Sequence, residues 1–392
     1  MNKLSALLLL SLTVVAGMAP WFAAAAAMPD MMRDGGFGPG RAALMSSAVQ
    51  AGFVLGALGS AMTGLSDRFD PRRVVAAAAL VNAATTGALL LFPAGSDGAV
   101  LLRLMAGAGF AAIYPVGMKI AVGWGLKDRG LLVGVLVGAL TLGSATPHLA
   151  AYLGGADWRL VIGAAALASL FAAALALFVG LGPHHARAPA FDPRAIRLLW
   201  TDRRLRAATG GYLGHMWELY AMWGWIGAAA AAGYAARMGA AEAERLAALT
   251  AFLAIAIGAL FCAPAGWLAD RIGKARVASG AMIGSGAAAL AVGLAHGGPA
   301  WLSFALILIW GALVIPDSAQ FSALVADSAP PAAAGSLMTM QTALGFMLTI
   351  FTVQVTPLAA AWLGWPAVLM LMALGPAFGV MALRQLPGER CA

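Results

Sequence analysis

Gly266-Trp-Leu-Ala-Asp270-Arg271-Ile-Gly273-Lys274-Ala-Arg276 is a short charged turn between two long apolar runs, and Thr63-Gly-Leu-Ser-Asp67-Arg68-Phe-Asp70-Pro-Arg72-Arg73 is a similar turn about half the chain earlier. In such a turn one helix ends on exposed carbonyls and the next begins on unpaired amides. Asp at a helix start and Arg at a helix end complement the two macrodipole ends, and the Arg residues hold the turn at one membrane face. Two copies of one turn, each framed by apolar runs, read as two copies of one helical module.

The rest of the composition agrees. Hydrophobic residues make up 62% of the chain and charged residues 10%, against about 25% charged in soluble proteins. A soluble globular fold is excluded. The net charge of +8 comes from residues in turns rather than on basic helices, so it speaks for topology and against nucleic acid. Cys262 and Cys391 stand alone, without metal or redox spacing, and no nucleotide-binding loop occurs. Neither an enzyme, a cofactor nor a metal is expected.

Windows of about 20 apolar residues predict helices at 4–28, 41–65, 73–93, 98–123, 130–153 and 158–182, then at 207–233, 246–269, 276–296, 300–325, 333–357 and 362–384. The first is too long for a signal-peptide core and reads as a span. The fold class is therefore an all-α polytopic membrane protein of twelve transmembrane helices in two six-helix halves, 1–182 and 207–392, joined by a polar linker at 183–206. Tyr114-Pro115 recurring as Ile315-Pro316, and Trp158 as Trp365, support the halving. Gly134, Gly138 and Gly143 on the fifth helix read as a packing row, because in lipid small residues let backbones approach closely.

With the N-terminus inside, only Arg33, Arg41, Arg159, Arg237 and Arg245 fall in outer loops, while Lys3, Arg68, Arg72, Arg73, Lys127, Arg129, Arg271, Lys274, Arg276, Arg384, Arg390 and the linker arginines fall inside. The positive-inside rule thus predicts a multi-pass protein of the inner (plasma) membrane with both termini cytoplasmic.

The second turn matches the signature loop of the major facilitator superfamily, Gly-x-Leu-Ala-Asp-Arg-x-Gly-Arg/Lys-x-Arg/Lys, almost throughout; the first departs from it at Thr63 and Asp70. The resemblance implies alternating access between two halves and a cytoplasmic gate formed by Asp67, Arg68, Arg73, Gly266, Asp270, Arg271, Gly273 and Arg276. Arg103-Leu-Met-Ala-Gly107-Ala-Gly109 resembles the family's fourth-helix motif, whose Arg is tied to proton transfer; the competing reading is an arginine snorkelling to the headgroups. Tyr114-Pro-Val-Gly-Met-Lys119 and Gly214-His-Met-Trp-Glu218-Leu-Tyr-Ala-Met-Trp223 resemble a bacterial branch near the nitrate and cyanate porters. Nitrate itself is disfavoured, since spans 2 and 8 lack an arginine in their interior, and multidrug efflux is weakened by Gly143-Ser-Ala-Thr-Pro147 standing where such antiporters carry Gly-Pro.

An ionisable residue within a span is costly and marks a path or a partner. Glu218, His215, Arg103, Lys119, Asp317 and His148 are the candidates. Glu218 lies eleven residues into the predicted seventh helix, ~17 Å deep at 1.5 Å per residue, and leads as the proton-coupling group, with His215 three positions earlier as its expected partner. Lys119 and Asp317, at similar levels in the two halves, read as an inner gate pair or as anion and proton sites. Tyr212, Trp217, Tyr220 and Trp223 form an aromatic set that lines a substrate path or fills helix crossings. The expected function is proton-coupled transport of a small organic anion by a monomer whose partners are substrate, protons and lipid. A proton-linked exporter of a hydrophobic or cationic compound, and a non-transporting membrane receptor or assembly factor, are the alternatives.

Overall fold

The computed structural model describes residues 2–125, 129–154, 157–185 and 190–386, with the side chains of Ser66, Asp67 and Arg129 outside the description. Twelve spans are formed. The first half holds α1 (Lys3–Met18), α2 (Pro39–Thr63), α3 (Pro71–Ala88), α4 (Asp97–Val122), α5 (Arg129–Gly154) and α6 (Trp158–Ala176). The second holds α7 (Arg203–Tyr234), α8 (Ala240–Ile272), α9 (Lys274–Ala295), α10 (Ala300–Val314 and Ser318–Ser328), α11 (Ala334–Leu363) and α12 (Trp365–Met372 and Leu374–Leu383).

Side-chain caps set many of the starts. Asn2, Asp70, Ser96, Asp157 and Asp202 each accept a hydrogen bond from a backbone amide one to three residues into the helix they precede. Ten helices among the described residues are long and apolar enough to cross a bilayer. Two spans depart from that pattern. α1 is short because the predicted 4–28 helix breaks at Ala19–Phe22, where Pro20 has no amide to continue it. α7 is long but polar, since it carries Arg203, Arg204, Arg206, His215 and Glu218, and nearly all of its middle is buried.

The packing is twofold. In the first half α2 crosses α4, α3 lies on α6 and α1 on α6; in the second, α8 crosses α10, α9 lies on α12 and α7 on α12. The halves meet along two seams, α2 with α11 and α5 with α8. The fifth-helix glycines do pack. A Cβ on Gly134 or Gly138 would stand 3.0 or 2.9 Å from the α8 carbonyls of Cys262 and Ala259, and one on Gly143 would stand 2.4 Å from the Val15 carbonyl of α1.

The closest backbone approach is within the first half, where a Cβ on Gly52 would lie 1.9 Å from Leu104 O and one on Gly107 would lie 2.1 Å from Val49 O. Gly107→Ala is expected to lower stability by about 1–3 kcal/mol through overpacking. Gly59→Ala, on the same α2 but with nothing within 4 Å of its Cβ, is expected to be neutral; thermal unfolding of the two variants in detergent checks the difference.

The two charged turns are built differently. Gly273 joins α8 to α9 at φ +100°, which suits a residue without a Cβ. Where the first turn has Asp70 in place of that glycine, φ is −59° and the Asp side chain caps α3 just ahead of Pro71. Hydrogen bonds from Arg72 hold the Asp70 carboxyl below the usual carboxylate range. One end of the molecule, called the basic face below, carries both turns.

Candidate functional site

α7 presents its polar groups to three neighbours. Glu218 is 2% exposed and points into the second half: Trp310 Nε1–H of α10 donates to Oε1 at 2.7 Å and the Ser285 hydroxyl of α9 donates to Oε2 at 2.9 Å. The Ser285 oxygen also lies 3.2 Å from the Met282 carbonyl. Its one proton therefore has two acceptors to choose between.

His215 is not the partner of Glu218. Its Nδ1 lies 2.9 Å from Asp317 Oδ1, both side chains being buried, and its ring packs on Tyr212 and Phe321. Three helical steps separate two side chains by about 60°, enough to send Glu218 toward α9 and His215 toward the break in α10. That break follows from Pro316, and it puts Asp317 at the N-cap of Ser318–Ser328, where the helix end favours a negative charge. Asp317 pairs within its own half instead of with Lys119 across the seam. Lys119 is half-buried on α4, and His148 is buried on α5 with Nε2 unpartnered.

Arg103 does not snorkel. It is 2% exposed and its guanidinium donates to Pro20 O at 2.8 Å and Trp21 O at 2.5 Å, two carbonyls at the break after α1, of which Pro20 O also accepts a long bond from the Ala23 amide at 3.4 Å.

The aromatic set divides. Tyr220 and Trp223 face the other half, where Trp21 meets Tyr220 and Phe22 meets both; Phe346 of α11 also packs on Tyr220, and Phe53 and Phe110 join through Trp21. Trp21 sits at the centre, 4.8 Å from Phe110 and 5.7 Å from both Tyr220 and Phe346, ring centre to ring centre. Tyr212 belongs with His215. Trp217 leans on Phe351 and donates to Leu371 O, a packing role away from the seam.

At the basic face Arg271 stacks over Trp267 with 3.6 Å between guanidinium carbon and ring centre, rather than pairing with Asp270. Asp270 lies beside Gly130 in the first turn of α5, its Oδ2 3.0 Å from where a Cβ on Gly130 would stand. Gly266 packs on Gly130 O, and Arg276 donates to Ile272 O at 3.1 Å. Arg68 and Arg73 are exposed; the Asp67 side chain lies outside the described residues.

The far end is also held shut. The short helix Met28–Gly35 is tied to its own half by Asp34, which accepts from Trp158 and Arg159, bonds that keep its carboxyl below the usual range. Across the seam, Arg33 donates to Glu244 at 2.7 Å, and Arg245 stands over the Tyr152 ring at 5.0 Å. Arg33→Glu or Glu244→Arg is expected to open this end a few-fold, the pair being half-exposed and worth about 0.2–1 kcal/mol, and the double swap is expected to restore it. Maleimide labelling of Gly224→Cys, with Cys262 and Cys391 replaced by Ser, reads the change.

Trp21, Phe22, Ser285 and Trp310 were not expected at the site. Pro20 was the one signal in the sequence, since a proline within a span frees carbonyls that need a donor. No His/Cys/Asp/Glu cluster able to hold a metal occurs among the described residues.

Two six-helix halves meeting at an aromatic centre, with ionisable groups buried on α4, α7 and α10, define the architecture of a secondary transporter. The chain belongs to the Major Facilitator Superfamily, which it matches over residues 10–353. Three similar solved structures cover it nearly end to end. The proton:xylose symporter XylE bound to 6-bromo-6-deoxy-D-glucose superposes with TM-score 0.74 at 15% identity, covering 97% of this chain and 94% of that one. XylE from E. coli in a partially occluded inward open conformation gives 0.76 at 12%, covering 100% and 99%. A mutant of the nucleoside transporter NupG gives 0.71 at 15%, covering 96% and 98%. At these identities the likeness is one of fold. No curated protein matches the chain in sequence.

Proposed function

We propose that the protein couples proton movement to transport of a small organic anion by alternating access, with Glu218 as the proton-carrying group. The observation that carries this reading is the separation of the buried charges. Glu218 is held by two neutral donors and no cation, so the site accommodates a proton without breaking an ion pair. Arg103 is held by carbonyls and no carboxylate, so the region near the α1 break keeps an uncompensated positive charge, which suits an anion. XylE, a proton symporter by name, supports coupling of this kind on this fold.

The basic face is then cytoplasmic, with both termini inside and the protein in the inner membrane as a monomer; a reporter fused after Arg237 is expected on the opposite side. The resemblance to the nitrate and cyanate porters fits an anion, while spans 2 and 8 carry arginine only near their ends, at Arg41, Arg245 and Arg271, which turns it from nitrate. A second reading, export of a hydrophobic cation, draws on the aromatic centre around Trp21 and Tyr220.

Internal pH in proteoliposomes of the purified protein separates the two. Acidification on adding small carboxylates outside, absent from empty liposomes, is expected. Alkalinisation with lipophilic cations and silence with carboxylates would overturn the anion reading.

A further inference from the structure

A small cavity of about 10 Å³ opens at the seam, lined by Trp21, Phe22 and Ala25 after the α1 break, Ser46 and Gln50 of α2, Arg103 of α4, Gly224 of α7 and Val353 of α11. Four of these side chains leave a buried polar atom without a partner: Trp21 Nε1, Ser46 Oγ, Gln50 Oε1 and Arg103 Nε. All four residues are more than nine-tenths buried. Orphaned groups of this kind are costly and rare; the closed cavity has room for about one water, so a larger polar guest would reach the four groups only as the two halves part.

The chemistry of the set selects the guest. Arg103, Trp21 and Ser46 supply donors on N–H or O–H, and a fixed positive charge stands among them; no Asp or Glu lines the cavity. That combination takes a carboxylate. Gln50 adds one acceptor, which a carboxylate cannot satisfy and a neighbouring hydroxyl can. The ring of Trp21 joins the cavity to the aromatic centre formed with Phe53, Phe110, Tyr220 and Phe346, which closes the route to a long carbon chain and leaves apolar surface for a short one.

We propose that Trp21, Ser46, Gln50 and Arg103 form the substrate pocket for a short 2-hydroxycarboxylate: Arg103, Trp21 and Ser46 bind the carboxylate and Gln50 accepts from the hydroxyl. The assignment rests on the anion-transport reading above and names its substrate class. It also gives α2 a specificity role that the spans bearing ionisable groups do not share.

The test is binding of lactate and of propionate, which differ by the one hydroxyl, to the purified full-length protein, followed by tryptophan fluorescence. Wild type is expected to bind lactate about tenfold more tightly, the worth of one buried hydrogen bond. Gln50→Leu is expected to bind the two equally, and Ser46→Ala to weaken both. Gln50→Glu, which places a negative charge against the carboxylate, is expected to lose both; thermal unfolding shows which variants are folded. A lactate preference that survives in Gln50→Leu, or equal binding of the two acids by wild type, overturns the pocket and leaves anion transport standing. Binding of lipophilic cations with no response to either acid overturns both.

Discussion

Arg103→Ala is expected to unfold at markedly lower temperature and to carry no substrate. Arg103 donates to Pro20 O, which otherwise keeps only a long bond from the Ala23 amide at 3.4 Å, and to Trp21 O, where Pro20 ends the α1 ladder deep in the apolar interior. Trp21 O is then left without a donor at a cost of about 1–3 kcal/mol, Pro20 O keeps only its long bond from Ala23, and no water from the bilayer core is at hand to replace the guanidinium. Arg103→Lys separates charge from geometry. An ammonium keeps the positive charge but lacks the planar fork that reaches two carbonyls at once, so it is expected to recover part of the stability and little of the transport. Thermal unfolding in detergent, together with uptake in proteoliposomes, checks the pair; a fully stable Arg103→Ala protein would show that the break after α1 is held by something else.

Glu218→Gln is expected to leave the fold intact and to abolish uptake driven by a proton gradient, at least tenfold, while exchange of substrate for substrate continues. The amide oxygen of Gln still accepts from Trp310, and its NH₂ donates to the Ser285 oxygen, whose proton then turns to the Met282 carbonyl at 3.2 Å. Gln therefore reproduces the protonated carboxyl. Glu218→Leu is expected to be worse, because it strands the Trp310 and Ser285 donors in a buried site. If Glu218→Gln kept gradient-driven uptake, the His215 and Asp317 pair would become the proton site. Asp317→Asn would then be the variant that removes the coupling.

Much of the fold was open to reading from the chain. The spans followed from apolar runs, the halves from the repeated turn at Asp67 and Asp270, and the fifth-helix glycines from their spacing. Breaks were harder. Pro115 and Pro316 look alike in sequence, yet α4 runs through Pro115 whereas α10 stops at Pro316; what surrounds a proline decides whether its missing hydrogen bond is tolerated. The site was legible as a set of residues and not as a set of pairs. Glu218 and His215 share a stretch of α7, but which neighbour each meets depends on α9 and α10 packing on different sides of that helix. Ser285, Trp310, Ser46 and Gln50 carry no charge, so nothing in hydropathy or composition separated them from ordinary span residues.

Glu218 faces away from the seam that a substrate would cross, yet it rides on the helix that gives Tyr220 and Trp223 to that seam. In the proposed scheme the proton site and the cargo site are thus separate and joined by one helix. Under the proposed coupling, linkage is reciprocal: whatever factor protonation contributes to substrate affinity, saturating substrate must return to proton affinity. A tenfold effect in one direction would appear as a one-unit displacement of the protonation midpoint in the other. On that scheme the two passengers do not share a passage, and stiffness of α7 is what would tie one movement to the other.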